Sequence, residues 1–567
     1  MVEPPFFEEV TSSAFAGAPD GVQNGALSWG DYQSDGDLDL LVTGSRNGNP
    51  STQLFVNDGS GAFQEVNAGL VNVEAGDAVF FDGNSDGILD LVILGNTNAN
   101  PITVYYEGAL NGTFVERQSL TGLRNSSASV RDFDRDGDPD LILAGINAAG
   151  DRLTSLFRND DAVFVEVTDL SLPGVNANIS WWDYNSDGNP DIFITGSAEG
   201  GPLTALYENV NGSGSFSEVP DVGIPGVENS SVSIGDYDND GDEDVLISGS
   251  VGAEYITRLY RNDDGTISAS IGFEGLRNGS TAFGDYNHDG FLDVLLTGED
   301  EEGETFGLLY INNNGTAFNL DLTNSPILTD LTFGQAAFAD FDNDANGTLD
   351  IVMMGTDNLN SSLSLFKNNT VAPNSSPAVP TNLSSSQQGN SLVLSWDRPS
   401  GANADGYSFN ILLRDQDTGE LIFSSQSATN GLRMVPEIGN AGHRTSMVVS
   451  GINLGNYEWT VQSVDQGLEG SAFAPLETVN FIPLGAIYNP SGITFEGVDA
   501  SDVEWADLNG DGVVDIILIG ENAADEKIAK VYLNDGVSSG SFTESNFVGD
   551  PGFGYGSMSI VDYVGDG

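Results

Sequence analysis

The stretch WGDYQSDGDLDLLVTG, residues 29–44, carries aspartates at 31, 35, 37 and 39, sets Gly36 among them and runs straight into an apolar segment. Oxygen-bearing side chains spaced two apart around a glycine describe a tight loop, and the apolar run behind it reads as a buried strand. The pattern recurs as FFDGNSDGILDLVILG, VRDFDRDGDPDLILAG, WWDYNSDGNPDIFITG, IGDYDNDGDEDVLISG, FGDYNHDGFLDVLLTG, FADFDNDANGTLDIVMMG and WADLNGDGVVDIILIG. The first aspartates stand at 31, 82, 132, 183, 236, 285, 340 and 507, giving spacings of 51, 50, 51, 53, 49 and 55 residues and then a jump of 167. Seven units are therefore contiguous and an eighth stands apart.

Around each loop the same strand pattern repeats. A short run such as ALSWG or NISWW precedes it, the buried strand follows and ends at Gly, and a Gly/Asn-rich turn leads to QLFVND, SLFRND, ALYENV or RLYRND. A second turn opens a last strand such as AFQEV or VFVEV, which makes four short antiparallel strands per period. Four-stranded units of this length, repeated seven times, predict an all-β protein built on a seven-bladed β-propeller. The seventh unit breaks into TVAPNSSPAVP before its fourth strand, while PFFEEV at the N-terminus resembles a fourth strand without a unit. Residues 6–10 are expected to complete the seventh blade and close the ring, so that residues 1–371 form one domain.

The spacing D-x-[DNQ]-x-[DN]-G-x-x-D puts oxygen ligands at loop positions 1, 3, 5 and 9, with the carbonyl at position 7 available. Hard oxygen donors in that number suit calcium. The candidate sets are Asp31, Gln33, Asp35, Asp37 and Asp39; Asp82, Asn84, Asp86, Ile88 and Asp90; and Asp132, Asp134, Asp136, Asp138 and Asp140. They continue as Asp183, Asn185, Asp187, Asn189 and Asp191; Asp236, Asp238, Asp240, Asp242 and Asp244; and Asp285, Asn287, Asp289, Phe291 and Asp293. The seventh loop holds Asp340, Asp342, Asp344, Asn346, Thr348 and Asp350, and its spacing leaves open whether Asp340 or Asp342 is position 1. The eighth holds Asp507, Asn509, Asp511, Val513 and Asp515. Two carboxylates 4 Å apart repel by about 4 kcal/mol at an effective dielectric near 20, so a loop gathering four needs a cation. An EF-hand would carry a bidentate Glu at position 12, where these loops have strand residues such as Val42, Leu143 and Ile247. Gln33 and Asn84 predict weaker first and second sites than the third or fifth. A dockerin module competes for the eighth loop, but IILIG behind it is strand-like where a dockerin has a helix.

The units resemble FG-GAP/VCBS repeats, the blades of integrin-α-like propellers, over about residues 1–371 and 484–567. The literal Phe-Gly and Gly-Ala-Pro signatures are absent in register. The resemblance implies a calcium-stabilised, extracellular or cell-surface module for adhesion or recognition, about one calcium per complete loop. After a linker at 372–376, residues 377–483 resemble a fibronectin type III domain through Trp396, Tyr407 and Tyr457, with Leu454 where that family usually has proline. The insertion and the second repeat block resemble large exported bacterial proteins. Residues 484–567 read as the start of a second, incomplete propeller, ending at Asp562 and Asp566 in a ninth loop that lacks position 9. The stretch is thus expected to be an internal piece of a longer secreted protein.

The remaining composition narrows the function. With 85 acidic against 17 basic residues the formal charge is −68, and Lys367, Lys527 and Lys530 are the three lysines, which argues against nucleic acid and anionic membranes. The absence of cysteine removes disulfides and thiol chemistry; no signal peptide and no spanning apolar run is visible. The two histidines are His288, inside the sixth loop and expected to face solvent, and His443, so a His-based triad in the propeller is not expected. The expected role is recognition of a protein or glycan on the face opposite the loops, where Arg46, Arg124, Arg152 and Arg277 and the recurring GVQNG, GLRNS, GVENS and GLRNG fall. The alternative is the propeller of a secreted polysaccharide-degrading hydrolase or lyase, with carboxylates as its catalytic pair.

Overall fold

Each apolar run behind an acidic loop becomes the second strand of a four-stranded antiparallel group: Asp39–Arg46, Asp90–Asn96, Asp140–Ile146, Asp191–Ala198, Asp244–Val251, Asp293–Glu299 and Asp350–Thr356. These strands are buried on both faces because neighbouring sheets stack against each side, which is why their sequence does not alternate. The computed structural model describes residues 6–15, 19–168, 170–212, 214–343, 347–357, 359–370, 374–388, 391–401, 404–428, 430–453, 455–481, 498–506, 514–522, 527–534 and 542–545. The chain is nearly all β and divides into two compact units, Met1–Phe481 and Ile482–Gly567.

In the first unit seven four-stranded groups follow one another. The second and third share the strand Thr113–Arg131, whose first part pairs with Pro101–Ala109 and whose last part pairs with Asp140–Ile146, fusing them into one seven-stranded sheet. The seventh group contains Thr332–Ala339, Asp350–Thr356 and Ser361–Asn368, and its fourth strand is the N-terminal Phe7–Glu9, with Phe7 opposite Asn368 and Glu9 opposite Phe366. Phe7 is buried with its ring 5.5 Å from that of Tyr286. The first group meets the seventh through Leu27 N–H to Gln335 Oε1 at 2.6 Å and Asn57 Nδ2 to the Phe341 carbonyl at 2.6 Å. The propeller ring is closed by these contacts.

On the face opposite the loops the ring is drawn tight by backbone. Asn24, Ala75, Asn125, Asn229, Asn278 and Phe333 have φ between 44° and 53°, Asn24 and Asn278 just before an inner strand and the other four within one. Ala75 donates to the Asn24 carbonyl, Asn24 to Phe333, Phe333 to Asn278 and Asn278 to Asn229, at 2.5–3.3 Å. The recurring Asn-Gly and Asn-Ser pairs serve this girdle: asparagine tolerates the left-handed region, and a Cβ at Gly25 would sit 1.9 Å from the Thr43 carbonyl oxygen. Residues expected to be recognition candidates thus have a structural task. Of the arginines expected on this face, Arg46 is ion-paired with Asp20 and Arg277 with Glu299.

Residues 374–481 form a two-sheet sandwich. One sheet holds Thr381–Gln388, Ser391–Asp397 and Ser446–Val449; the other holds Leu421–Phe423, Ser408–Asp415, Gly455–Val464 and Glu477–Phe481. Trp396, Phe409, Trp459 and Phe481 fill its core, and the Tyr457 hydroxyl donates to the Asn453 carbonyl at 2.8 Å. Leu454 lies outside the described residues. The sandwich rests on the loop face of the propeller. Its Met434 carbonyl accepts from Asp31 N–H, its Gln466 carbonyl from Asp285 N–H, and the Arg135 carbonyl accepts from Ser450 N–H.

The second unit, by itself, contains one four-stranded sheet of Val498–Ala506, Asp515–Asn522, Lys527–Asn534 and Phe542–Ser545. Asp507, Asn509, Asp511, Val513, Asp562 and Asp566 lie outside the described residues. Among the described residues no helix is long and apolar enough to cross a membrane.

Candidate metal centres

Each loop is held by its own first and last aspartates. Position 1 accepts backbone N–H groups from positions 5 and 6: Asp35 and Gly36 on Asp31 at 2.9 Å each, Asp240 and Gly241 on Asp236 at 3.1 and 3.0 Å, Asp289 and Gly290 on Asp285 at 3.1 and 2.7 Å. Position 6 turns through φ of +80° to +105° in the first six loops, which only glycine does without strain. Position 4 is also left-handed, at Ser34, Ser85, Arg135, Ser186, Asn239 and His288. His288 is half-buried in this turn, not fully turned to solvent.

Position 9 is wholly buried in each described loop. One oxygen of Asp39, Asp140, Asp191, Asp244, Asp293 and Asp350 accepts the backbone N–H of an asparagine on the third strand, respectively Asn57, Asn159, Asn209, Asn262, Asn312 and Asn368, at 2.7–2.9 Å. Asp515 and Asn534 repeat the contact in the second unit at 2.8 Å. The same asparagines reach back to the preceding group: Asn159 to Gly83 O, Asn209 to Phe133 O, Asn262 to Tyr184 O, Asn312 to Tyr237 O and Asn368 to Tyr286 O. Sequence reasoning passed over these residues, although VND, RND, INN and KNN carry the signal at constant distance from each loop. In the second group Gly108 takes this place, since a Cβ there would lie 2.1 Å from the Leu89 carbonyl oxygen, and Tyr105 donates to Asp90 instead at 2.6 Å.

The third, fifth and seventh loops each bring three carboxylates within 4.8 Å: Asp132, Asp134 and Asp136; Asp236, Asp238 and Asp244; Asp340, Asp342 and Asp350. The first, second, fourth and sixth have an amide at position 3, and Gln33, Asn84 and Asn185 turn their amide nitrogens to the position 5 carboxylate. In the sixth, Asn287 donates to Asp293. At position 7 the N–H of Asp37, Ile88, Asp138, Asn189, Asp242 and Phe291 donates to the position 5 carboxylate. In the seventh loop Asn343 has φ 51° and donates its N–H to Asp340, the role of position 4 toward position 1, so the loop registers on Asp340. Thr348 is buried with its hydroxyl on the Asn368 carbonyl, and Asp344 and Asn346 lie outside the described residues.

The donor set has a cation's chemistry. Asp39 Oδ2, Asp134 Oδ1, Asp183 Oδ1, Asp191 Oδ2, Asp238 Oδ1 and Asp342 Oδ1 are buried oxygens without a hydrogen-bond partner. Burial pushes Asp39 and Asp236 up to about 8 and Asp191 and Asp244 up to about 9, and neighbouring loop aspartates push the same way. Basic side chains answer part of this charge: Arg261 pairs with Asp238 and Asp240, and Lys367 with Asp342. Loops are also tied in sequence around the face, Arg135 to Asn189, Ser186 to Asp242, Asn239 to Gly290 and Asn343 to Gly36.

An FG-GAP-like repeat model matches residues 81–143, 132–194 and 183–247. The three matches together span residues 81–247. Each match begins at one acidic loop and ends in the strand behind the next, so consecutive FG-GAP-like repeats overlap on a loop. Among solved structures, the extracellular domain of a one-component system from B. thetaiotaomicron is similar at 9% identity and TM-score 0.38, over 85% of this chain and 59% of that one. That of a hybrid two-component system from B. thetaiotaomicron is similar at 13% identity and TM-score 0.37, over 85% and 58%. An exotype rhamnogalacturonan lyase is similar at 14% identity and TM-score 0.32, over 82% and 91%. The chain spans less than three fifths of the length of the two extracellular domains. No curated protein matches.

Proposed function

We propose that this chain is an extracellular recognition module, of the adhesion type, whose propeller is held together by calcium, about one ion per complete loop. The carrying observation is the set of buried, unpartnered carboxylate oxygens at positions 1, 3 or 9 of the first, third, fourth, fifth and seventh loops. Oxygen is the sole donor type, the groups are ionisable, and the carbonyl at position 7 is the natural further ligand, a set that suits a hard divalent cation. The calcium acts structurally, in place of the disulfides a cysteine-free chain lacks. The sandwich is read as fibronectin type III-like, a spacer that also covers the loop face. Recognition of a protein or glycan then falls to the opposite face, whose hairpins include the acidic turn at 300–304 and an exposed Leu359. Glycan-array binding by the calcium-loaded chain, set against product release from the same polysaccharides, tests this: binding without turnover supports a recognition module, and turnover overturns it in favour of a carbohydrate-active enzyme.

A further inference from the structure

The residue just before the third-strand asparagine, or before Gly108 in the second group, differs from group to group. It is Val56, Glu107, Glu208 and Ile311 in the first, second, fourth and sixth groups, and Arg158, Arg261 and Lys367 in the third, fifth and seventh. Loop position 3 changes in step with it. The four loops without a cation there carry an amide, Gln33, Asn84, Asn185 or Asn287, and the three with one carry Asp134, Asp238 or Asp342. The eighth unit keeps the rule in its sequence, with Asn509 and Leu533.

The covariation is one of contact. Arg261 Nε lies 3.0 Å from Asp238 Oδ2, and its Nη2 lies 2.7 Å from Asp240 Oδ2. Lys367 Nζ bonds Asp342, and Arg158, bonded to Asp160 at 2.9 Å, also faces Asp134. The two glutamates at this place are turned elsewhere, Glu107 to Arg117 at 2.6 Å and Glu208 to the Tyr184 hydroxyl. Once the cation is counted, four carboxylates at the ligand positions come to the same net charge of −3 as three do in the amide loops. We propose that Arg158, Arg261 and Lys367 are tethered counter-cations that compete with calcium for the position 3 carboxylate, so that loops with four carboxylates hold the ion no more tightly than loops with three. This rests on the calcium reading of the loops. It levels the ranking expected from position 3 alone, in which the third and fifth sites exceed the first and second. A cation fixed on the strand costs its loop calcium affinity and offsets carboxylate repulsion when no ion is bound.

The test replaces all three cations, Arg158→Gln, Arg261→Gln and Lys367→Gln, in the full chain, so that three loops move together. Calorimetric calcium titration and melting temperature, with calcium and with EDTA, are then compared with the parent chain. Arg444 of the sandwich faces Asp183 from outside this pattern, so the fourth loop has no part in the test. The two readouts should move in opposite directions: calcium binds the altered loops about fivefold more tightly, the worth of one partly exposed charge pair, while the melting temperature in EDTA falls. Ion pairs with a purely structural role would lower both melting curves alike and leave the affinity unchanged; that result, or weaker binding, overturns the proposal. A converse variant keeps the test alive if the triple variant fails to fold. Gln33→Asp with Val56→Arg gives the first loop the same pair and should bind calcium as the parent does, where Gln33→Asp alone binds more tightly; equal tightening in both overturns the proposal. Absence of calcium uptake by the parent chain refutes the calcium reading and this proposal with it, whereas uptake with unchanged affinity in the triple variant refutes this proposal alone.

Discussion

Asn262 illustrates how much one side chain does here. Its N–H holds Asp244, its amide nitrogen bonds the Tyr184 and Glu243 carbonyls, and it is fully buried. Asn262→Ala strands two buried carbonyls, so chemical denaturation of the calcium-loaded chain should show a loss of about 2 kcal/mol or more; a change under about 0.5 kcal/mol would mean the tie carries nothing. The loop aspartates make a second prediction. Where burial raises an aspartate to about 8 or 9, as at Asp39, Asp191 and Asp244, the unfolded chain ionises near pH 4 while the folded one does not. Stability of the metal-free protein is therefore lost as pH rises from about 4 through the folded values. Calcium binding needs ionised carboxylates, so the loaded protein should run the other way. Melting curves across pH with EDTA and with calcium would check this, and parallel profiles would refute it. Most of each loop's ligand spacing was legible in sequence because it is local. The asparagine tie was not, because it joins residues about 76 apart across two groups, as from Asn159 to Gly83.

At the level of the loop and the strand, position 3 sets the number of charges. Gln33→Asp should tighten calcium in the first loop and Asp134→Asn should weaken it in the third, each seen in calcium titration of the chain; equal affinity in both variants would deny position 3 a ligand's role. The strand Phe7–Glu9 is the other exposed point, since it pairs with Ser361–Asn368 from the far end of the propeller. Phe7→Ala removes a ring that is 2% exposed, packed on Tyr286 and Phe366, and should cost about 3 to 4 kcal/mol. The four-strand pattern could be read from alternation and turn residues. The fusion of the second and third groups could not, because continuity of Thr113–Arg131 depends on both neighbouring sheets. The seventh loop's register also escaped the spacing, which fits two aspartates equally until the turn at Asn343 is seen to hang from Asp340.

For the whole molecule, repetition made the all-β propeller class readable: a constant period with one acidic loop per unit admits few other arrangements. The covering of the loop face by the sandwich was not readable, because it depends on contacts such as Gln466 Nε2 to the Asp236 carbonyl, 230 residues away in sequence. That docking brings the acidic loops and the sandwich into one compact unit within residues 1–481. Ions that bind the folded loops and not the unfolded chain should stabilise it strongly. Thermal unfolding of the full chain with and without EDTA tests this most directly. The account predicts a drop of more than about 10 °C in EDTA, reversed by calcium and not by sodium. An unchanged melting curve would contradict it.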